Sequence, residues 1–140
     1  MATELHRRKH YVSHFQVVLL DCARLGEYPE STNGEAFVTF GAAGVAVSTA
    51  WDDNCTVQPL VEIAVSGFGP RAATPDGMHV IAEAPFFVGE KGIAVGNWVA
   101  DDVEKIAVAP GRYTLIVLAD TWEPFKARCV AFHLLRAGEP

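Results

Sequence analysis

The chain has 140 residues, half of them apolar and one fifth charged, and its 11 Lys and Arg against 17 Asp and Glu give a formal net charge of -6. The apolar fraction excludes a disordered chain, and a chain of this length can bury enough surface to fold without a metal or a disulfide framework. The longest apolar run, residues 113–119, is far shorter than the ~18 residues of a membrane span, so we expect no contact with a membrane.

Positive charge is concentrated at the N-terminus, where the basic residues 7–9 stand against Glu4. We predict that residues 1–10 form a flexible basic tail and that residues 11–140 form a single acidic domain. Because an acidic body repels phosphate backbones, we expect no direct binding of DNA or RNA. No apolar core follows the basic residues, as it would in a secretory signal, so a cytoplasmic protein is expected.

Apolar residues recur at period two or in short runs, and glycine, proline or acidic pairs interrupt them about every ten residues, which predicts short strands. The predicted strands are residues 11–20, 35–40, 44–49, 57–66, 78–88, 92–98, 103–109, 112–119 and 127–135. One short helix is predicted near residues 119–125. Eight or nine such strands indicate an all-β fold, an antiparallel two-sheet β-sandwich of the jelly-roll kind.

Two connections carry turn residues at defined positions. In the segment 109–112, Pro110 fixes φ at the second position and Gly111 allows a positive φ at the third, which is typical of a type II turn. Gly89 and Gly92 enclose a charged tip in the same way. Both segments are predicted to join antiparallel neighbours.

The sequence lacks the motifs of common nucleotide-binding and hydrolytic enzymes. The P-loop pattern GxxxxGK[ST] is absent, and residues 89–92 lack the strand, glycine pattern and helix that hold a phosphate. A GxSxG nucleophile motif is absent as well. We therefore expect a protein that is not an enzyme and that needs no cofactor.

The three cysteines are odd in number and have no CxxC spacing, which argues against a disulfide scaffold and a zinc site. We interpret them as free thiols that are mostly buried: Cys22, Cys55 and Cys129. Two histidine sets leave a metal site open as an alternative. One set recurs every four residues, as ligands on a helix would, although residues 11–20 favour a strand; it comprises His6, His10 and His14. The other would form a cupin-like site from separate strands, with His14, His79 and His133.

Carboxylates accompany each of the three tryptophans. Asp52 and Asp53 follow Trp51, Asp101, Asp102 and Glu104 follow Trp98, and Asp120 and Glu123 flank Trp122. Calcium binding and the ordinary turn chemistry of aspartate are two interpretations, although no DxDxDG loop is present. The third is a recognition surface for a basic protein partner, in which aromatic anchors supply buried contact and charge steers the encounter. The predicted contact residues are Trp51, Asp52, Asp53, Trp98, Asp101, Asp102, Asp120, Trp122 and Glu123.

The same tryptophans support an alternative of a different class. Jelly-roll domains use exposed aromatic rings to stack on sugars, so a carbohydrate or small-molecule binder stays open. In that case Trp51, Trp98 or Trp122 would provide the platform.

The order of features along the chain resembles a known family. A strand of the form His-Phe-Gln-Val at residues 14–17 is followed, after the strands in between, by Pro-Phe-Phe-Val-Gly-Glu-Lys-Gly-Ile at residues 85–93 and Pro-Gly-Arg-Tyr-Thr-Leu at residues 110–115. This pattern resembles the competence-protein-J family, the inhibitors of a DNA-entry nuclease, over residues 10–135. The resemblance implies a cytoplasmic, non-enzymatic protein that binds and blocks a nuclease, as an immunity protein does.

Overall fold

The computed structural model describes residues 4–10, 16–24, 37–50, 58–67, 71, 73–98 and 102–137. Within these ranges the strands are β1 (Glu4–Lys9), β2 (Gln16–Asp21), β3 (Val38–Phe40), β4 (Gly44–Ser48), β5 (Leu60–Ser66), β6 (His79–Val88), β7 (Ile93–Asn97), β8 (Asp102–Ile106), β9 (Gly111–Ala119) and β10 (Cys129–Arg136). The helical segment among them is a 3₁₀ turn, Cys22–Arg24. In this described part of the chain no helix is long and apolar enough to cross a membrane.

The strands form two five-stranded sheets, which confirms the predicted all-β sandwich. Sheet I has the order β1-β5-β10-β9-β6 and sheet II the order β3-β4-β2-β7-β8. The paired strands are antiparallel apart from β5 and β10, which run parallel. The parallel pair arises because β10, the last strand, lies between β5 and its own hairpin partner β9.

Strand alternation places the core between the two sheets. In β10 the alternate residues Val130, Phe132 and Leu134 are fully buried. They belong to the same cluster as Val17 and Leu19 of sheet II. In β2 the intervening residues are buried as well, because the outer face of sheet II is itself covered. A continuous apolar run therefore marks the centre of sheet II, and in sheet I the outer face of β9 and β10 also buries a smaller cluster of Ile116, Leu118 and Ala131.

The two predicted turns cross from one sheet to the other, so the prediction that they join antiparallel neighbours is wrong. Residues 89–92 connect β6 of sheet I to β7 of sheet II, and residues 107–110 connect β8 of sheet II to β9 of sheet I. Turn residues define the local bend, whereas the apolar face that each strand must bury decides which sheet it joins. Gly111 has a positive φ of 143°, which differs from the ~80° of a type II turn, and it is already the first residue of β9.

The prediction of a flexible tail over residues 1–10 is wrong for Glu4–Lys9, which pairs antiparallel with β5 as an edge strand of sheet I. The basic residues of this segment meet carboxylates: Arg7 Nε lies 3.3 Å from Glu62 Oε2, and the Arg8 guanidinium binds Asp102 of sheet II. Charges that look solvated in the sequence are thus paired across strands.

The helix predicted near residues 119–125 is also wrong, because these residues form bends and a turn between β9 and β10. The Thr121 hydroxyl accepts a hydrogen bond from Glu123 N at 3.1 Å, and Phe125 has a positive φ of 64°. Such side-chain to backbone bonds compete with a helix, and Pro124 provides no N–H to extend one.

Gly96 is expected to tolerate no side chain. Its φ is 142°, and a Cβ atom there would clash with the Asp102 carbonyl oxygen of β8. Gly96→Ala should lower the free energy of unfolding by about 2 kcal/mol in urea titrations. Gly77→Ala is the control, because Gly77 also has a positive φ, 80°, but no atom within 4 Å of the added Cβ. Equal losses in the two variants would contradict the clash.

Candidate partner-binding site

Two hydrogen bonds tie the end of β4 to the loop between β9 and β10. Phe125 N donates to Ser48 Oγ at 3.2 Å, and Ala50 N donates to the Ala127 carbonyl at 2.8 Å. Ala50 and the end of β4 therefore lie beside the loop that carries Trp122.

The end of β7 lies at the same end of the sandwich. Ser48 is opposite Gln16 in the register of β4 and β2, and the Asn97 side chain donates to the Gln16 carbonyl at 2.7 Å. We call this end, with Trp98, Asp102 and the loop 120–128, the tryptophan end. The topology thus brings the described members of the predicted surface to one end of the molecule. The other predicted contact residues lie outside the described residues: Trp51, Asp52, Asp53 and Asp101.

Among the described residues of the tryptophan end, Trp122 is the most accessible large apolar side chain, with 65% of its surface exposed. One face of its ring stacks on His79 of β6, with the ring centroids 4.6 Å apart and the planes 26° from parallel. This stack fixes the orientation of the indole at little further entropic cost, while much of the ring stays accessible to solvent. A held but exposed tryptophan is the kind of group that anchors protein interfaces.

The two carboxylates beside Trp122 are exposed, and one of them accepts a hydrogen bond within the loop. Asp120 Oδ1 accepts a hydrogen bond from Arg128 N at 3.0 Å, whereas the Glu123 side chain extends from an exposed bend. Lys126 and Arg128 are exposed in the same loop. The surface around Trp122 is therefore rich in charges of both signs.

Trp98 and Asp102 are placed differently from Trp122. Trp98 is half-buried and packs on the apolar outer face of sheet II, against a cluster that includes Val18 and Leu20. Asp102 is 8% exposed, and its carboxylate binds the Arg8 guanidinium. Both residues therefore make contacts within the protein at the tryptophan end, whereas Trp122 is largely exposed.

His10 completes the group around Asp102. Its ring is 1% exposed, and Nδ1 donates to the Asp102 carbonyl at 3.2 Å and lies 3.4 Å from Asp102 Oδ1. Arg8 comes from the edge of sheet I and Asp102 from the edge of sheet II, so this cluster closes one side of the sandwich. Sequence reasoning missed it, because no local pattern shows that two edge strands from different sheets will meet.

The structure separates the histidines of the two metal hypotheses. His79 lies opposite Ala119 and His133 opposite Ile116, on the two strands that flank β9. Nε2 of His133 faces Glu62 Oε1 at 3.7 Å. His14 lies outside the described residues, among which no three His, Cys, Asp or Glu side chains are placed to hold a metal ion.

Cys22 and Cys129 are free thiols, as predicted, but both are half-buried rather than buried; Cys55 lies outside the described residues. Burial, followed by the carboxylates of Asp120 and Glu62, raises the pKa of the Cys129 thiol above its ordinary value of 9.0. The thiol is therefore protonated at neutral pH and is a weak nucleophile.

This pKa shift has two measurable consequences. Alkylation of Cys129 by iodoacetamide at about pH 8, followed by mass spectrometry of its peptide, should be slower in the folded chain than in urea. The free energy of unfolding should also fall as the pH rises above 9.0, because the unfolded chain releases the thiol proton first. Cys129→Ala should remove this component; an unchanged pH profile in the variant would contradict the assignment.

The fold is similar to those of two solved structures. The crystal structure of ComJ, inhibitor of the DNA degrading activity of NucA, from Bacillus subtilis matches with a TM-score of 0.70 at 9% identity, over 98% of this chain and 100% of that chain. The structure described as crocagin biosynthetic gene J matches with a TM-score of 0.56 at 11% identity, over 99% and 100%. No protein-family model and no curated protein sequence match the chain. The resemblance to the competence-protein-J family is thus confirmed at the level of the fold.

Proposed function

We propose that this protein is a non-enzymatic inhibitor that binds a DNA-degrading nuclease through the tryptophan end. The observation that carries the proposal is the similarity of the whole fold to a nuclease inhibitor, ComJ, at a TM-score of 0.70. The exposed indole of Trp122 supports it, because an inhibitor needs an accessible anchor with a fixed orientation.

Inhibition requires that the protein compete with DNA for the nuclease. A nuclease cleft is shaped and charged to hold phosphates, so carboxylates that enter it occupy the same electrostatic well. Asp120 and Glu123 flank the proposed anchor and are exposed for this role. The undescribed Asp52, Asp53 and Asp101 belong to the same proposed surface. A cytoplasmic location is part of the proposal, and the free thiols of Cys22 and Cys129 support it.

A DNA-degradation assay tests this function. Fractions of lysate from the source organism would be assayed on a fluorogenic DNA duplex, with and without the purified protein. We expect at least one nuclease fraction to lose activity, with inhibition that saturates at a fixed stoichiometry to the nuclease. Native mass spectrometry of that fraction should then show the complex.

Two controls separate specific inhibition from a general effect of negative charge. An unrelated acidic protein of similar net charge should leave the same fraction active, and so should the heat-unfolded chain. Equal inhibition by the acidic control, or activity in every fraction despite excess protein, would reject the proposal.

The carbohydrate alternative is tested on the same side chain. A sugar that stacks on Trp122 would change its fluorescence, whereas Trp122→Phe would lose that change. A saturating response to one glycan, together with no inhibited nuclease, would favour a carbohydrate binder.

A further inference from the structure

A groove lies at the end of sheet I that is opposite to Trp122. In the register of β6 and β9, Phe87 lies opposite Arg112, whereas His79, on which Trp122 stacks, lies opposite Ala119. Arg112 and Ala119 are separated by seven residues of β9, which corresponds to roughly 23 Å at ~3.3 Å per residue. The groove is therefore a separate surface from the tryptophan end.

The groove has a volume of about 510 Å³. Pro85 and Phe87 of β6 form one wall, Arg112 and Tyr113 of β9 another, and Ala42 between β3 and β4 adds a residue from sheet II. Phe87 is 58% exposed, because its neighbours Phe86 and Val88 face the core and strand alternation turns Phe87 to the outer face. An exposed aromatic ring beside an apolar groove is typical of a surface that another molecule covers.

Positive charge surrounds this groove in a chain whose net charge is -6. The exposed Arg112 guanidinium has no ion-pair partner within the described ranges. Arg136 Nη1 donates to the Tyr113 hydroxyl at 3.0 Å, with the guanidinium 5.2 Å from the ring centroid, and Arg24 donates to the Ala42 carbonyl at 3.1 Å. Charge complementarity therefore favours an acidic occupant.

The chemistry of the edge strand narrows the mode of binding. β6 lies at the edge of sheet I, but Pro85 lacks an N–H and the register shifts between Val80 and Ala82. Both features disfavour the addition of a further strand through backbone hydrogen bonds. A second copy of the chain would bring like charges together at this end. An acidic segment that is recognised through its side chains needs no backbone pairing with β6 and brings no like charges together.

We propose that the groove binds an acidic segment of a partner protein, which places one aromatic or aliphatic side chain beside Phe87 and a carboxylate at Arg112. This proposal does not depend on nuclease inhibition, since it concerns the opposite end of the molecule. It gives the protein a second binding surface, at the opposite end of sheet I from the tryptophan end.

Fluorescence anisotropy with a defined probe tests the groove. The probe is a fluorescein-labelled short peptide with one phenylalanine between aspartates and glutamates. We expect saturable binding that weakens at least about tenfold in Phe87→Ala, in Arg112→Glu, and when alanine replaces the phenylalanine of the probe. The matched controls Leu5→Ala, at an exposed residue of β1, and Lys105→Glu, on β8, should bind as the unmodified chain does.

Several outcomes would overturn the proposal. These are no binding at millimolar peptide, equal binding of a peptide with lysines in place of the acids, or full affinity in both groove variants. Sedimentation of the unmodified chain as a dimer that Phe87→Ala dissociates would assign the groove to a second copy instead. Circular dichroism of each variant would show that a loss of binding is not a loss of fold.

Discussion

Replacing Asp102 with alanine is expected to lower the free energy of unfolding by about 2 kcal/mol, since it removes a buried carboxylate that bonds the partly exposed Arg8 guanidinium. Asp102 is 8% exposed and its carboxylate binds the Arg8 guanidinium. The substitution leaves Arg8 facing the gap between two sheet edges and removes the carboxylate that lies 3.4 Å from buried His10. Urea titrations followed by tryptophan fluorescence measure the change.

Glu104→Ala is the matched control, because Glu104 lies on the same strand, is half-buried, and has no ion pair among the described residues. It should change the free energy of unfolding by less than about 0.5 kcal/mol. Arg8→Ala should cost less than Asp102→Ala, because the Arg8 side chain is 40% exposed and water replaces part of its interaction. Equal losses for Asp102 and Glu104 would show that the ion pair does not stabilise the fold.

This result also bears on the predicted contact surface. A weaker partner complex in an Asp102 variant would have two explanations, loss of a direct contact or displacement of the turn that carries Trp98. The stability of the Asp102 variant alone does not separate them, since loss of the pair with Arg8 is expected to destabilise the fold in either case. The prediction that Asp102 contacts a partner should therefore be tested only together with Arg8→Ala, which disturbs the same turn and keeps the carboxylate.

The sequence predicted the strands well because strand residues follow a local rule. Short β-rich apolar runs at residues 112–119 and 127–135 predicted two strands, and β9 and β10 occupy nearly the same positions. Strand partners could not be predicted in the same way. Residues 89–92 have turn chemistry that suits a hairpin, yet the chain crosses between sheets there, because pairing depends on faces buried far along the sequence.

The ion pairs of the N-terminal segment could not be predicted from the sequence either. Glu4–Lys9 has the composition of a solvated tail, but it pairs with β5, and its arginines meet Glu62 and Asp102, which are distant in sequence. At the candidate site, the nearness of acids to tryptophans could be seen in the sequence. The different exposure of the two tryptophans could not be predicted from the sequence. Trp98 packs on an apolar sheet face, whereas Trp122 stacks on His79, and both contacts depend on the tertiary fold.

Trp122→Ala is expected to weaken nuclease inhibition by about thirtyfold, or about 2 kcal/mol, if Trp122 anchors the complex. Its effect on the fold should be small, because 65% of the side chain is exposed and the loss is confined to the stack on His79. The inhibition constant from the DNA-degradation assay measures the first effect, and urea titration measures the second.

Phe40→Ala is the matched control, since Phe40 is an exposed aromatic residue of similar kind, 45% accessible, on β3. It should leave the inhibition constant within about twofold. Glu123→Gln, which keeps the shape of an exposed side chain beside Trp122, should slow association at low salt and have less effect at high salt, as steering by charge requires. Unchanged inhibition by Trp122→Ala, with the fold intact, would reject Trp122 as the anchor of the complex.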